Sequence, residues 1–226
     1  MSTDQTRLAI LAAAERLYAD RGFGEVTLRD IVAEAEVNLA AVNYHFGSKD
    51  ELIAELYVSR SVALNRERLT ELKAAEDAGG GPAALDDVIA ALVGPPLRGC
   101  LGPDRQRSAA ARFMVRASAE SVPVIRRIRT REIGHLRRFA AALRRALPQA
   151  PEADIYWALH FALAMTHETI NGAERLQRLS GGACDLDDVA GIVARITAAV
   201  VQTLAARATA AKTATVPVRR AARPRA

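Results

Sequence analysis

Apolar positions along the first seventy residues recur at three- and four-residue spacing, the period of helices with one buried face. From Thr3 to about Arg21 this stripe is carried by Ile10, Ala14 and Leu17, with Leu11 and Tyr18 widening it and Gly22 as the stop. Thr27 is placed to cap a second helix from about Leu28, with Asp30 three residues on and Leu28, Ile31, Val32 and Ala35 on one face. Glu36, Val37 and Asn38 form a joint, and Asn38 caps a short third helix from Leu39 to Phe46. In that helix Val42 and Phe46 point to the core, which leaves Asn38, Ala40, Ala41, Asn43, Tyr44 and His45 to face outward. Ser48 and Glu51 make a capping box for a long fourth helix from Lys49 to about Ala75.

Beyond it the same period continues, interrupted by breakers and without strand alternation, so the fold class is all-α with about nine helices. Gly79-Gly80-Gly81-Pro82 separates the fourth helix from a fifth, which stops at Pro95-Pro96. A sixth runs from about Asp104 to Glu120, a seventh from Pro123 to about Leu147, and an eighth from Glu152 to about Leu179. After Gly181-Gly182, Asp185 caps a ninth that reaches about Ala206. Val189, Val193, Ile196 and Val200 on the ninth helix and Ile155, Leu159 and Leu163 on the eighth form apolar stripes that suit a homodimer seam; Trp157, Phe161 and Met165 lie on the opposite face of the eighth. The division expected is 1–60, 61–206 and a disordered basic tail over 207–226.

The chain has 226 residues, half of them hydrophobic, enough for a substantial core. It shows neither a secretory leader nor a long uncharged apolar run, so a cytoplasmic protein without a membrane span is expected. Cys100 and Cys184 lack metal-ligand spacing and read as reduced thiols. The formal net charge is +5, yet acids outnumber bases within residues 1–60; the excess of arginine lies between Arg105 and Arg145 and in the tail. Arg105, Arg112 and Arg116 fall on one stripe and Arg127, Arg131, Arg138 and Arg145 on another, either a solvated face or the mouth of a site for an anion. No nucleophile elbow, phosphate-binding glycine loop or zinc-protease motif is present, which argues against an enzyme and against a metal or other cofactor.

The segment "LYADRGFGEVTLRDIVAEAEVNLAAVNYHFGSKDEL" resembles the N-terminal helix-turn-helix domain of TetR-family transcriptional regulators. The resemblance covers about the first sixty residues and rests on Leu17, Tyr18, Gly22, Phe23, Thr27, Tyr44, His45, Phe46, Ser48, Lys49 and Asp50. It implies a double-stranded DNA operator as partner. Thr27, Lys49, Tyr44 and His45 would hold phosphates, while Asn43 would read an adenine and Leu39, Ala40 and Ala41 would touch thymine methyls. Asn38 stands at the front of the same helix and Arg29 is the nearest arginine. Glu36 departs from the family pattern, which often has Gly there; a left-handed Glu costs on the order of 1 kcal/mol.

Family resemblance also implies an effector that enters the C-terminal helices and releases DNA. Its expected walls are Leu92, Phe113, Met114, Phe139, Leu143, Trp157 and Phe161, which otherwise read as plain core; His160 or His167 would bond a polar head, or else belong to the polar face of the eighth helix. "VNLAAVNYHFGSKDEL" and "WALHFALAM" are similar to a subgroup that includes fatty-acid-responsive regulators, which makes a lipophilic or anionic acyl compound the expected ligand. The competing reading is a helical ligand-binding or adaptor bundle without DNA-binding activity.

Overall fold

The computed structural model describes residues 2–78, 80–103 and 108–214, without the side chains of 210–214. Among these residues every regular element is a helix: α1 (Thr3–Arg21), α2 (Leu28–Glu34), α3 (Leu39–Phe46), α4 (Lys49–Ala78), α5 (Leu85–Leu101), α6 (Ala109–Ala119), α7 (Pro123–Arg131), α8 (Gly134–Ala146), α9 (Glu152–Asn171), α10 (Ala173–Ser180) and α11 (Val189–Ala214). The count is 11 rather than about nine, because two stretches with one continuous period are each broken once. The expected seventh helix parts at Glu132-Ile133 into α7 and α8, and the expected eighth parts at Gly172 into α9 and α10.

Local chemistry sets the N-terminal boundaries. Ser2 and Gln5 form a capping box on α1, and Gly22 ends it at φ 86°. Thr27 and Asp30 form the box on α2, and Asn38 Oδ1 accepts the Ala41 N–H at 2.9 Å at the start of α3. Glu36, in the joint, has φ 54° and is the one non-glycine residue with positive φ among the described residues.

Two apolar cores follow. One joins Ile10, Ala14, Tyr18, Ile31, Val42, Phe46, Leu52 and Leu56 of the first four helices, and Phe23 of the turn after α1, to Phe113 and Ala117 of α6 and Val124 and Ile125 of α7. Tyr18 stacks on Phe23 at 4.9 Å and Phe113 packs against Phe23 at 5.5 Å. The other surrounds α5, whose residues from Ala91 to Leu97 are all buried, with Phe139 and Leu143 of α8, Ile155, Leu159 and Ala162 of α9, and Ile196 and Val200 of α11. A helix apolar on every side belongs in the middle of a core, and α5 lies there, against α4, α8, α9 and α11.

Two expectations change here. Pro95 and Pro96 do not end α5, which runs through both to Leu101. Pro96 has no N–H for the carbonyl of Leu92, four residues back, and Arg68 Nε of α4 donates to that carbonyl instead at 2.9 Å. The last helix starts at Val189, capped by Asp188, whose Oδ1 accepts the Gly191 N–H at 2.8 Å, and continues to Ala214, so residues 207–214 are helical. The remainder of the expected tail, and Arg105, lie outside the described residues. Finally, Val189–Thr209 is long and apolar enough to cross a membrane, with a mean hydropathy of 1.7; its inward edge, Ile192, Ile196, Val200 and Leu204, is buried in the second core.

Candidate functional site

The short helix α3 is fixed from behind and open in front. Val42 and Phe46 are buried, and Arg7 lies over the Phe46 ring at 5.6 Å. Leu39, Ala40, Asn43 and Tyr44 are exposed, at positions i, i+1, i+4 and i+5, which is one face of a helix. Tyr44 is 80% exposed, its ring edge-on to His45 at 5.1 Å. Ala41 and His45 are half-buried at the edges of this face. The exposed face thus carries one side-chain amide, one phenol and small apolar groups, a set suited to base edges, thymine methyls and a phosphate.

The residues around α3 divide into outward-facing and structural groups. Arg29 on α2 is exposed. Thr27 is exposed too, but its hydroxyl is engaged with the Asp30 carboxylate at 2.5 Å, leaving the free N–H groups of the α2 terminus as the better anion donors. Asn38 commits its side-chain oxygen to the cap and keeps its N–H₂. Lys49 differs from expectation. Its ammonium donates to the carbonyls of Phe23 at 3.0 Å and Val26 at 2.5 Å and lies over the Tyr18 ring, so it clamps the corner between α1 and α2 and has one N–H left for a phosphate. Four of the ten acids of this domain are ion-paired within it: Glu55 by Arg7, Glu34 by Arg16, Asp30 by Arg21, and Glu15 by Arg60, whose Nη2 is 2.6 Å from Oε2.

A second feature is a cleft of about 1570 Å³ bordered by α4, α5, α6, α7, α8 and α9. Of the residues expected to line a ligand site, Met114 and His167 do so. His167 Nε2 lies 2.9 Å from the Ser118 carbonyl oxygen, joining α9 to α6. Leu92, Phe139 and Leu143 are instead fully buried in the second core, and Phe113 in the first. Trp157, His160 and Phe161 point away from the cleft, along the exposed face of α9, where Trp157 stacks on Phe161 at 5.5 Å.

The seam residues are displaced in the opposite sense. Ile155, Leu159, Ile196 and Val200 are buried within the subunit, Val189 and Val193 pack on the same core, and Leu163 lines the cleft. The apolar face left uncovered on α9 is Trp157, Phe161 and Met165, beside a groove shared with Val200, Thr203 and Leu204 of α11.

Arg68 was not anticipated. It is 8% exposed and lines the cleft, and burial pushes its pKa down to about 10. Opposite it, burial first and the Arg68 charge second push His135 down to about 4, so this imidazole is neutral at pH 7.

The elements bordering the cleft also reach the N-terminal domain. Arg116 on α6 donates to the carbonyl oxygens of Ala19 and Asp20, each at 3.0 Å, and Arg112 pairs with Asp20. Glu120 accepts the Phe23 N–H at 2.9 Å. The end of α1 is therefore tied to the helix that carries Met114 and Ser118 into the cleft.

Residues 10–56 match the model of the tetR family of bacterial regulatory proteins, and residues 90–202 match a tetracyclin repressor-like C-terminal domain. The chain belongs to the TetR family. That family comprises helix-turn-helix transcriptional regulators rather than enzymes. Sequence relatives match over part of the chain: an HTH-type transcriptional repressor of Mycobacterium tuberculosis is 38% identical over 63 residues, 28% of this chain and 34% of the relative. The regulator TtgR of Pseudomonas putida is 42% identical over 52 residues, 23% of this chain and 25% of TtgR. The match thus spans about a third or less of these relatives' length. Across the whole TetR fold, a transcriptional regulator of Pseudomonas aeruginosa is similar with a TM-score of 0.61 at 20% identity, covering 94% of this chain and 95% of its own. SmeT, the repressor of a Stenotrophomonas maltophilia multidrug efflux pump, gives 0.59 at 21%, covering 86% and 91%.

Proposed function

We propose that this TetR-family chain is a cytoplasmic, ligand-responsive transcriptional repressor that binds a near-palindromic double-stranded operator as a homodimer. The observation that carries the reading is the exposed face of α3, with Leu39, Ala40, Asn43 and Tyr44 held outward by the buried Val42 and Phe46. Set in a major groove, Asn43 reads an adenine edge, Leu39 and Ala40 meet thymine methyls, and Tyr44, His45, Arg29 and the α2 terminus hold phosphates. Acids outnumber bases in residues 1–60, so the domain attracts DNA through a few focused contacts and the salt dependence per half-site is shallow.

The uncovered Trp157, Phe161 and Met165 support a homodimer formed through α9 and α11. Two α3 helices then stand about 34–36 Å apart, one turn of DNA. The cleft and its ties to α1 support control by a small molecule, for which a lipophilic or anionic compound suits both the apolar walls and the arginines of the rim. Such an effector acts only by binding better to the DNA-incompetent arrangement, and α6 is the element through which cleft and reader are joined. That a Mycobacterium tuberculosis relative and SmeT are named repressors favours repression.

The test is a gel-shift titration with DNA flanking the coding region. Wild type is expected to bind, and Asn43→Ala and Tyr44→Ala, both at exposed positions, to weaken binding about fivefold or more with helical content unchanged, since each lost contact removes about 1–3 kcal/mol. Equal binding by the three proteins refutes the placement of α3 in the groove.

A further inference from the structure

Arg68 is an unusual residue for its position. On α4 it stands between Leu64 and Leu72, four residues from each, where the helix turns inward. Two of its N–H groups have protein acceptors, both neutral: the Leu92 carbonyl left free by Pro96, and Asn65 Oδ1 at 3.2 Å from Nη1. Among the described residues no carboxylate forms an ion pair with it; the neighbouring Glu67 lies 3.4 Å from Arg98. A guanidinium this deeply placed is normally matched by a negative group. Two further polar groups border the same cleft. Ser61 Oγ, two turns earlier on α4, is buried without a hydrogen-bond partner, and His135 on α8 is held neutral. The cleft as a whole is lined by eight cationic side chains against two carboxylates, Glu67 and Glu132. Met114, Ile128, Leu163 and Ile170 give it apolar walls.

We propose that this cleft takes an amphipathic monoanion, a carboxylate or other single oxyanion on a lipophilic body, whose head pairs with Arg68 and whose body lies along Met114, Ile128, Leu163 and Ile170. The proposal deepens the effector reading above and rests on it for the consequence of binding, though not for the binding itself. Arg68 serves the fold through Nε and the ligand through its remaining N–H groups, and Ser61 and His135 supply further hydrogen bonds to the head. The rim arginines 127, 131 and 138 raise the local concentration of anions at the mouth.

The experiment compares three probes of one chain length, dodecanoate, dodecan-1-ol and dodecyltrimethylammonium, by calorimetric titration of the full chain below their aggregation concentrations. Dodecanoate is expected to bind at least about tenfold more tightly than the alcohol, the cation more weakly than either, because a charge-assisted pair replaces a neutral one. Arg68→Gln, which keeps a donor for the Leu92 carbonyl, is expected to abolish the preference while leaving affinity for the alcohol within about threefold. Arg137→Gln, on the exposed side of α8 and outside the cleft, should preserve it. Equal binding of acid and alcohol to wild type, a preference retained in Arg68→Gln, or no binding of any probe overturns the proposal; should Arg68→Gln fail to fold, the comparison of probes on wild type decides. A parallel gel shift separates the two readings: dodecanoate bound with DNA unreleased leaves the anion site standing and refutes its role as effector, and an absence of any DNA shift refutes the repressor reading alone.

Discussion

Glu36 shows how a single residue can carry strain without breaking a motif. Its φ of 54° is demanded by the turn between α2 and α3, and a side chain there costs about 1 kcal/mol relative to glycine. Glu36→Gly should therefore stabilise the protein by roughly 0.5–1 kcal/mol, part of the gain being offset by the freer unfolded chain. Calorimetry should place its thermal midpoint about 1–4 °C higher, with operator affinity unchanged; a lower midpoint refutes the assignment of strain. His135 makes a pH-dependent counterpart. Its folded pKa of about 4 lies below the ordinary 6.5, so between these values the unfolded chain holds the extra proton. Stability is accordingly expected to fall as pH drops from about 6.5 toward 4, with no contribution from this group above that window. The urea midpoint measured at pH 7 and pH 5 should fall less in His135→Gln than in wild type; an equal fall in both contradicts a neutral, half-buried His135.

Among the elements, α6 belongs to both halves of the molecule. By sequence Phe113 looked like a wall of the ligand site, but it is fully buried against Tyr18 and Phe23 in the core of the DNA-reading domain, some ninety residues away along the chain. Phe113→Ala is expected to cost about 3–5 kcal/mol, the range for emptying a large aromatic site. Because the void opens behind α1, operator binding should weaken as well, measurable by chemical denaturation and gel shift on the same variant. A loss confined to ligand binding would contradict this placement. The break at Glu132-Ile133 has a related origin: α7 packs into the first core and α8 into the second, so one continuous periodicity serves two differently oriented surfaces. A stripe records that a face is covered; it carries no mark of where the cover changes.

For the whole molecule the question is which apolar surface remains after the subunit has folded. Ile155 and Leu159 are spent inside it, whereas Trp157 at 56% and Phe161 at 38% stay exposed on α9. Replacing Trp157 and Phe161 by Glu should shift sedimentation at micromolar concentration from dimer to monomer, since two charges would face the seam. Operator affinity should fall with it, as half-sites are then bound singly. A dimer that persists unchanged refutes the seam.

What the sequence by itself determined was local: the capping box at Thr27, the Ser48 hydroxyl that caps the Glu51 N–H, the stop at Gly22 and the inward Val42 and Phe46 that leave one face of α3 exposed. Each depends on atoms within a few residues of one another, so spacing alone carries it. Only the tertiary structure decided which of two apolar faces of α9 turned inward, how α5 continues through Pro95 and Pro96, and why Arg68 interrupts a buried stripe. Hydrophobic burial is non-directional, so periodicity can require a partner without naming it. The acceptor left free by a proline finds its donor only when a distant helix is brought alongside.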